Sequence, residues 1–113
     1  MRTKNDALDI LRRVTLACDR IFEPGIKDAY LYGSYARGDN GPESDIDILL
    51  TTDLSGEAIA QRRSAVADIT SDLSLEYDVT VSVTVKPLAQ FIQYKEAMPF
   101  YTNVVKEGIR YAG

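Results

Sequence analysis

The chain has 113 residues, which predicts one domain over residues 1–113 with a single core. Its 17 acidic and 13 basic residues give a formal net charge of −4, so its surface as a whole does not attract nucleic acid, and no direct contact with nucleic acid is expected. Histidine is absent, which excludes the commonest general base and zinc ligand, so any chemistry must depend on carboxylates, hydroxyls, lysine or arginine, and bound ions.

The N-terminal segment is predicted to form an amphipathic helix from Thr3 to about Phe22, because its apolar residues recur at helical spacing. Thr3 is the expected N-cap, with Asp6 three residues further on. Cys18, the only cysteine, lies on the apolar stripe, which indicates a core position rather than a reactive thiol and excludes an internal disulfide.

Two short strands and a short helix are predicted next. Residues Lys27–Tyr32 are rich in aromatic side chains and precede a glycine, which favours a strand. Ser34–Arg37 has the position of a short helix, and the sequence GDNGPES that follows is typical of a turn. Asp45–Thr51 is then the second strand.

The second half of the chain continues the alternation of helix and strand. Apolar spacing predicts a helix from Ser55 to about Leu73, and strictly alternating valines predict a strand over Tyr77–Lys86. Leu88–Tyr94 is expected to be helical. A last helix should have Pro99 in its first turn and Gly108 at its C-terminal end.

These elements give the order αβαβαβα and the fold class α/β (α+β). The expected architecture is a small mixed three-stranded sheet backed by helices that cover much of one face.

Two aspartates stand at the head of the apolar second strand. Asp45 and Asp47 share one strand face with Leu49, and their Cα atoms should lie about 7 Å apart. Two carboxylates so close repel each other unless cations neutralise them, and this spacing suits two Mg²⁺ ions roughly 3.5–4 Å apart, as in two-metal phosphoryl transfer. Two alternatives stay open: acids that end a turn in solvent, and a calcium loop, although the spacing of an EF-hand is missing.

A third acid is predicted at the start of the valine-rich strand. Asp78 has the parity of Thr80, Ser82 and Thr84, which is opposite to that of the valines. An adjacent strand would therefore place Asp78 beside the aspartate pair. Glu76 has the same parity but precedes the valine run, so it is the second choice. The alternative for Asp78 is a solvated strand residue.

A Gly-Ser pair lies between the first strand and the short helix. Gly33 and Ser34 offer free backbone N–H groups and a hydroxyl, which suit phosphate oxygens, and Arg37 lies one turn later. The alternative is an ordinary strand–helix turn with Ser34 as the N-cap.

Together these residues match a known pattern. Gly33-Ser34, ten further residues and Asp45-Ile46-Asp47 resemble the G-S-x10-D-x-D motif of the DNA polymerase β-like nucleotidyltransferases. The flanking sequences YARG and SDIDILL and the ending KEGIRYAG are similar to the minimal nucleotidyltransferase (MNT) branch. The resemblance extends from about Asp28 to the C-terminus, with Tyr35 standing where many relatives have a basic residue.

The resemblance implies a polymerase β-like core and a Mg²⁺-dependent transferase with ATP as its substrate. It implies that Asp45 and Asp47 are ligands shared by two Mg²⁺ ions, and that Asp78 is the third carboxylate. Gly33 and Ser34 would hold the β- and γ-phosphates, and Arg37 would lie near the triphosphate.

MNT proteins of this size are commonly antitoxins encoded beside a HEPN-type ribonuclease toxin. The resemblance therefore implies a protein adenylyltransferase that transfers AMP to a tyrosine of such a toxin and releases pyrophosphate. The single cysteine and the lack of an 18-residue apolar run predict a cytoplasmic protein without membrane contact. Two alternatives stay open: a non-catalytic antitoxin that occludes its partner, and a homodimeric nucleotidyltransferase that modifies a small molecule.

Overall fold

A computed structural model describes residues 3–111 of the chain. Within these residues the fold is a mixed α+β fold with helices packed on a sheet, and every predicted helix and strand has a counterpart. The elements are α1 (Lys4–Ile21), β1 (Ile26–Tyr32), α2 (Ser34–Arg37), β2 (Ile46–Thr52), α3 (Gly56–Gln61), α4 (Arg63–Tyr77), β3 (Val81–Pro87), α5 (Leu88–Tyr94), α6 (Pro99–Glu107) and β4 (Ile109–Arg110).

The sheet has four strands in the order β3-β2-β1-β4, so the prediction of three strands is wrong. Strand β1 is antiparallel to both β2 and β4, whereas β2 and β3 are parallel. The fourth strand pairs Ile109 with Leu31 of β1. Gly108 makes this return possible, because a Cβ at that position would collide with the carbonyl oxygen of Val104 at the end of α6. Two residues carry too little pattern for a strand to be predicted from them.

The first helix begins as predicted. The Thr3 hydroxyl accepts a hydrogen bond from the Asp6 N–H at 3.1 Å, and the Asp6 carboxylate accepts one from the Thr3 N–H, which completes a capping box. Cys18 is fully buried in the core, as expected. Within residues 3–111, no helix combines the length and apolar character that a membrane crossing needs.

Helices cover both faces of the sheet, and β2 contributes to both cores. One face of β2 packs against α1 and α4, through Ile46, Ile48 and Leu50. On the other face, Leu49 packs with Phe91 of α5 and with the α6 residues Tyr101 and Val104. Since side chains alternate along a strand, this second face is the one to which Asp47 belongs.

The predicted helix from Ser55 to Leu73 is two helices that meet at Arg62. The Arg62 guanidinium donates hydrogen bonds to the carbonyl oxygen of Ile21 at 3.0 Å and to that of Ala58 at 2.8 Å. The bond to Ile21 joins parts of the chain that are distant in sequence, so local spacing could not predict the break.

Candidate active site

The aspartate pair lies where β2 begins, at one end of the sheet. Asp45 immediately precedes the strand and is exposed, whereas Asp47 is partly buried. In the two ladders that flank β2, Asp47 pairs with Tyr32 of β1 and with Ser82 of β3. The acids therefore lie beside the end of β1, close to the Gly-Ser turn.

The environment of Asp47 disfavours its charged form. Partial burial raises the pKa of its carboxyl group, the neighbouring Asp45 raises it further, and Arg37 opposes the shift. Two carboxylates that repel each other in this way suit a divalent cation, because Mg²⁺ prefers oxygen ligands and removes the repulsion. The donor set of the pair therefore fits a magnesium ion.

Gly33 brings the turn into direct contact with the acid pair. Its φ of +78° lies in the left-handed region, which favours glycine. A Cβ at Gly33 would lie 2.5 Å from Oδ2 of Asp47, so a side chain here would displace the carboxylate. The Gly33 carbonyl oxygen accepts hydrogen bonds from the N–H groups of Ala36 and Arg37, each at 3.1 Å, and so starts α2.

Ser34 is the first residue of α2, as the sequence predicts, and it is partly buried beside Gly33. The first N–H groups of a helix have no carbonyl partner within it, so they and a serine hydroxyl can donate hydrogen bonds to an anion. The next residue, Tyr35, is buried in the core, so the departure from the MNT pattern does not place a tyrosine side chain at the site.

Arg37 lies at the edge of the site, held by two acids. Its guanidinium forms ion pairs with Asp39 at 3.2 Å and with Glu107 of α6 at 3.3 Å. A pocket of about 240 Å³ lies between the end of β1, α2 and α6, and it is lined by Tyr32, Gly33, Arg37, Phe100, Asn103, Val104 and Glu107. Gly33 lines this pocket and also lies against the Asp47 carboxylate, so the pocket is next to the acid pair.

Asp78 does not lie on a strand, and that part of the prediction is wrong. Helix α4 extends to Tyr77, and Asp78 is its C-cap in the left-handed conformation, with φ 52° and ψ 51°. Strand β3 begins only at Val81, so strand parity does not apply to Asp78. Within residues 3–111, no three acidic, histidine or cysteine side chains form a group that could hold a metal ion. The assignment of Asp78 as a third ligand stays a prediction, which this position does not favour.

Tyr32 and Ser82 flank Asp47 and were not predicted as site residues. Tyr32 is the residue of β1 that pairs with Asp47. Burial and the Asp47 charge raise the pKa of Tyr32. The alternation had placed Ser82 on the polar face, but only the pairing of β2 with β3 shows that it neighbours Asp47.

The nucleotidyltransferase domain family matches residues 11–111 of the chain. Two Methanocaldococcus jannaschii proteins, named as putative protein adenylyltransferases, are similar to it. MJ0604 is 37% identical over 83 residues, which are 74% of this chain and 75% of that protein. MJ0141 is 29% identical over 77 residues, which are 68% of this chain and 76% of that protein.

Among solved structures, a chain of a toxin–antitoxin complex with AMP-PNP has a similar fold. The TM-score is 0.53 at 22% identity, over 99% of this chain and 74% of that chain. At this level of identity, the likeness shows a common fold.

Proposed function

Because the chain belongs to the nucleotidyltransferase domain family and is therefore a nucleotidyltransferase, we propose that it transfers AMP from ATP to a tyrosine hydroxyl of a HEPN-type toxin. The observation that carries this proposal is the contact between Gly33 and Asp47, which joins a phosphate-binding turn to a cation-binding acid pair. The two relatives named as adenylyltransferases support AMP as the transferred group. The toxin–antitoxin complex of similar fold supports a toxin as the partner.

In the proposed reaction, the acceptor hydroxyl oxygen attacks the α-phosphorus of ATP. The bond from the α-phosphorus to the oxygen that bridges it to the β-phosphorus breaks, and pyrophosphate leaves. The proton of the acceptor hydroxyl passes to solvent. Most of the catalysis is positioning and electrostatic stabilisation, which suits a chain that has no histidine.

The turn binds the leaving group in this proposal. The N–H groups at the start of α2 and the Ser34 hydroxyl donate hydrogen bonds to β- and γ-phosphate oxygens. Arg37 contributes a positive charge at the same end of the site, and its contacts with Asp39 and Glu107 keep the guanidinium there before the nucleotide binds. Glycine at position 33 lets the phosphates approach the backbone.

Asp45 and Asp47 would hold two Mg²⁺ ions, which the acid pair fits because the two carboxylates repel each other without a cation. Bound Mg²⁺ supplies Lewis-acid activation of the acceptor hydroxyl and neutralises charge on the departing pyrophosphate. The carboxylates would orient the cations, and Tyr32 lies beside Asp47 in the ladder between β1 and β2.

The proposal is tested by incubating the purified chain and its partner with Mg²⁺ and ATP that carries ³²P at the α-phosphate. We expect label on a partner tyrosine, and Asp47→Asn should abolish it. Asp53→Asn is the matched control, because Asp53 follows the other end of β2 and forms an exposed ion pair with Lys27 at 3.3 Å. Full transfer by Asp47→Asn would refute the proposed site.

Co-expression with the toxin separates catalysis from occlusion. If transfer is the antidote, the double variant Asp45→Asn/Asp47→Asn should fail to protect cells while still binding the toxin. Protection by that variant would show instead that binding alone neutralises the partner.

A further inference from the structure

We propose that Ser82 occupies the third-ligand position of this site, so that the chain supplies two carboxylates and binds a divalent cation tightly only together with the nucleotide phosphates. This inference rests on the proposed function, because it assumes that the acid pair binds the cation of a nucleotide.

The register between β2 and β3 identifies the position. Ile46 pairs with Val81 and Asp47 with Ser82, and the ladder continues without a shift to the end of β3. The Ile46 N–H donates to the carbonyl oxygen of Thr80 at 2.9 Å, so the register between β2 and β3 is already fixed at the first residue of β2. Paired residues of neighbouring strands lie about 4.8 Å apart and direct their side chains to the same face. Position 82 is thus the β3 position closest to the Asp47 carboxylate.

Asp78 lies outside β3. It caps α4, and α4 packs on the opposite face of the sheet, where Val66 and Leu73 contact the core that contains Ile46. The Ser74 carbonyl oxygen accepts from the N–H of Val79 at 3.2 Å, and the Ser74 hydroxyl accepts from the N–H of Val81 at 3.1 Å. These bonds fix the short connection between α4 and β3, which holds Asp78 outside the ladder that sets Ser82 beside Asp47.

A serine hydroxyl changes how the site binds its cation. A neutral oxygen contributes much less to divalent-cation affinity than a carboxylate, because affinity rises with the charge of the ligand set. Two carboxylates leave most coordination positions of Mg²⁺ to water or phosphate oxygens. The nucleotide phosphates then supply the missing negative charge, which couples cation binding to nucleotide binding.

The coupling can be measured with Mn²⁺, whose free concentration is read by electron paramagnetic resonance, so the readout is binding rather than turnover. Wild-type protein should bind Mn²⁺ weakly alone and at least about tenfold more tightly with α,β-methylene-ATP, whose α–β linkage resists cleavage. Ser82→Asp should raise the affinity for Mn²⁺ alone by about tenfold. Ser82→Asn should not raise this affinity, because asparagine has the shape of aspartate but no charge.

A second comparison removes charges instead of adding one. Asp78→Asn should leave Mn²⁺ binding unchanged, whereas Asp45→Asn should weaken it. The inference is overturned if Asp78→Asn weakens Mn²⁺ binding as much as Asp45→Asn does, or if a folded Ser82→Asp binds Mn²⁺ no better than Ser82→Asn. Should Ser82→Asp fail to fold, the comparison of Asp78→Asn with Asp45→Asn still decides.

The two proposals fail in different ways. If wild-type protein binds neither Mn²⁺ nor the nucleotide analogue, the proposed function is wrong. In that case, tighter Mn²⁺ binding by Ser82→Asp would still support the placement of Ser82 beside the acid pair. If Ser82→Asp also binds no Mn²⁺, both proposals are refuted.

Discussion

Oδ2 of Asp47 lies 2.5 Å from the point at which a Cβ on Gly33 would stand. This contact joins two parts of the motif that are 14 residues apart in the chain (47 − 33) and lie on different elements. The turn and the acid pair are therefore one structural unit, and a change in either residue should disturb the other.

Gly33→Ala should reduce both stability and AMP transfer. The new methyl group must displace the Asp47 carboxylate, and alanine is strained at a φ of +78°. We expect a loss of about 1–3 kcal/mol in the free energy of unfolding, measured by urea denaturation, together with loss of labelled product. Gly56→Ala is the control, because open space surrounds Gly56 in the first turn of α3, and it should be neutral. Equal effects of the two substitutions would contradict the prediction.

Asp47→Asn should abolish transfer and yet stabilise the protein in the absence of metal. Burial and Asp45 raise the pKa of Asp47, so its ionised form destabilises the folded state above that pKa, and a neutral amide removes the penalty. After solvent screening, the gain should be about 0.5 kcal/mol, or a Tm rise of about 2 °C in EDTA. Asp53→Asn should not raise Tm, because this substitution removes a favourable ion pair with Lys27 and relieves no repulsion. A lower Tm for Asp47→Asn would be the opposite result.

Arg37→Gln should weaken nucleotide binding more than it slows turnover. In the proposed function Arg37 donates to the triphosphate, and a hydrogen bond to a charged group contributes about 1.5–3 kcal/mol. We expect KM for ATP to rise by about tenfold or more, with a smaller change in kcat. Arg12→Gln, which breaks an exposed ion pair with Asp9 on α1, is the control. If Arg37→Gln leaves KM unchanged, Arg37 does not contact the nucleotide.

Glu76 should contribute stability that depends on pH. Its carboxylate accepts hydrogen bonds from the Arg13 guanidinium, which lowers the pKa of Glu76 below its ordinary value of 4.5. A folded-state pKa below that of the unfolded chain means that the stabilisation is present above about pH 4.5 and disappears as the pH falls through the folded-state value. Glu76→Gln should therefore lower Tm at pH 7 and have no effect near pH 2. If the difference in Tm between wild-type protein and Glu76→Gln persists at low pH, it does not come from the ionised Glu76 carboxylate.

Cys18 should be unreactive in the folded protein. Burial raises the pKa of its thiol to about 11, and its side chain is fully covered by the core. Ellman's reagent should release less than about one tenth of an equivalent of chromophore from native protein within minutes, and one equivalent in guanidinium chloride. Rapid reaction of the native protein would show that the α1 face opens.

Local patterns predicted the elements that short-range rules define. The capping box at Thr3, the short helix Ser34–Arg37 and the helix Leu88–Tyr94 all lie where the sequence places them. The alternation along β2 also predicted the face of Asp47, because parity within a strand requires no knowledge of its neighbours, whereas Asp45 precedes the strand.

The errors occurred where a strand depends on its partner. Alternation continues through Val79, but residues 78–80 connect the C-cap of α4 to β3, and only pairing with Ile46 fixes Val81 as the first strand residue. Strand β4 exists because β1 has a free edge beside it, which no pattern in Ile109–Arg110 reveals.

Residue types at short, fixed spacings were enough to predict the family, the aspartate pair and the turn that precedes α2. The assembled fold was needed to show which side chain lies beside Asp47 and which glycine contacts it. Strand order and register are set by hydrogen bonds between segments that are distant in the chain, so the neighbours of Asp47 are a property of the assembled sheet.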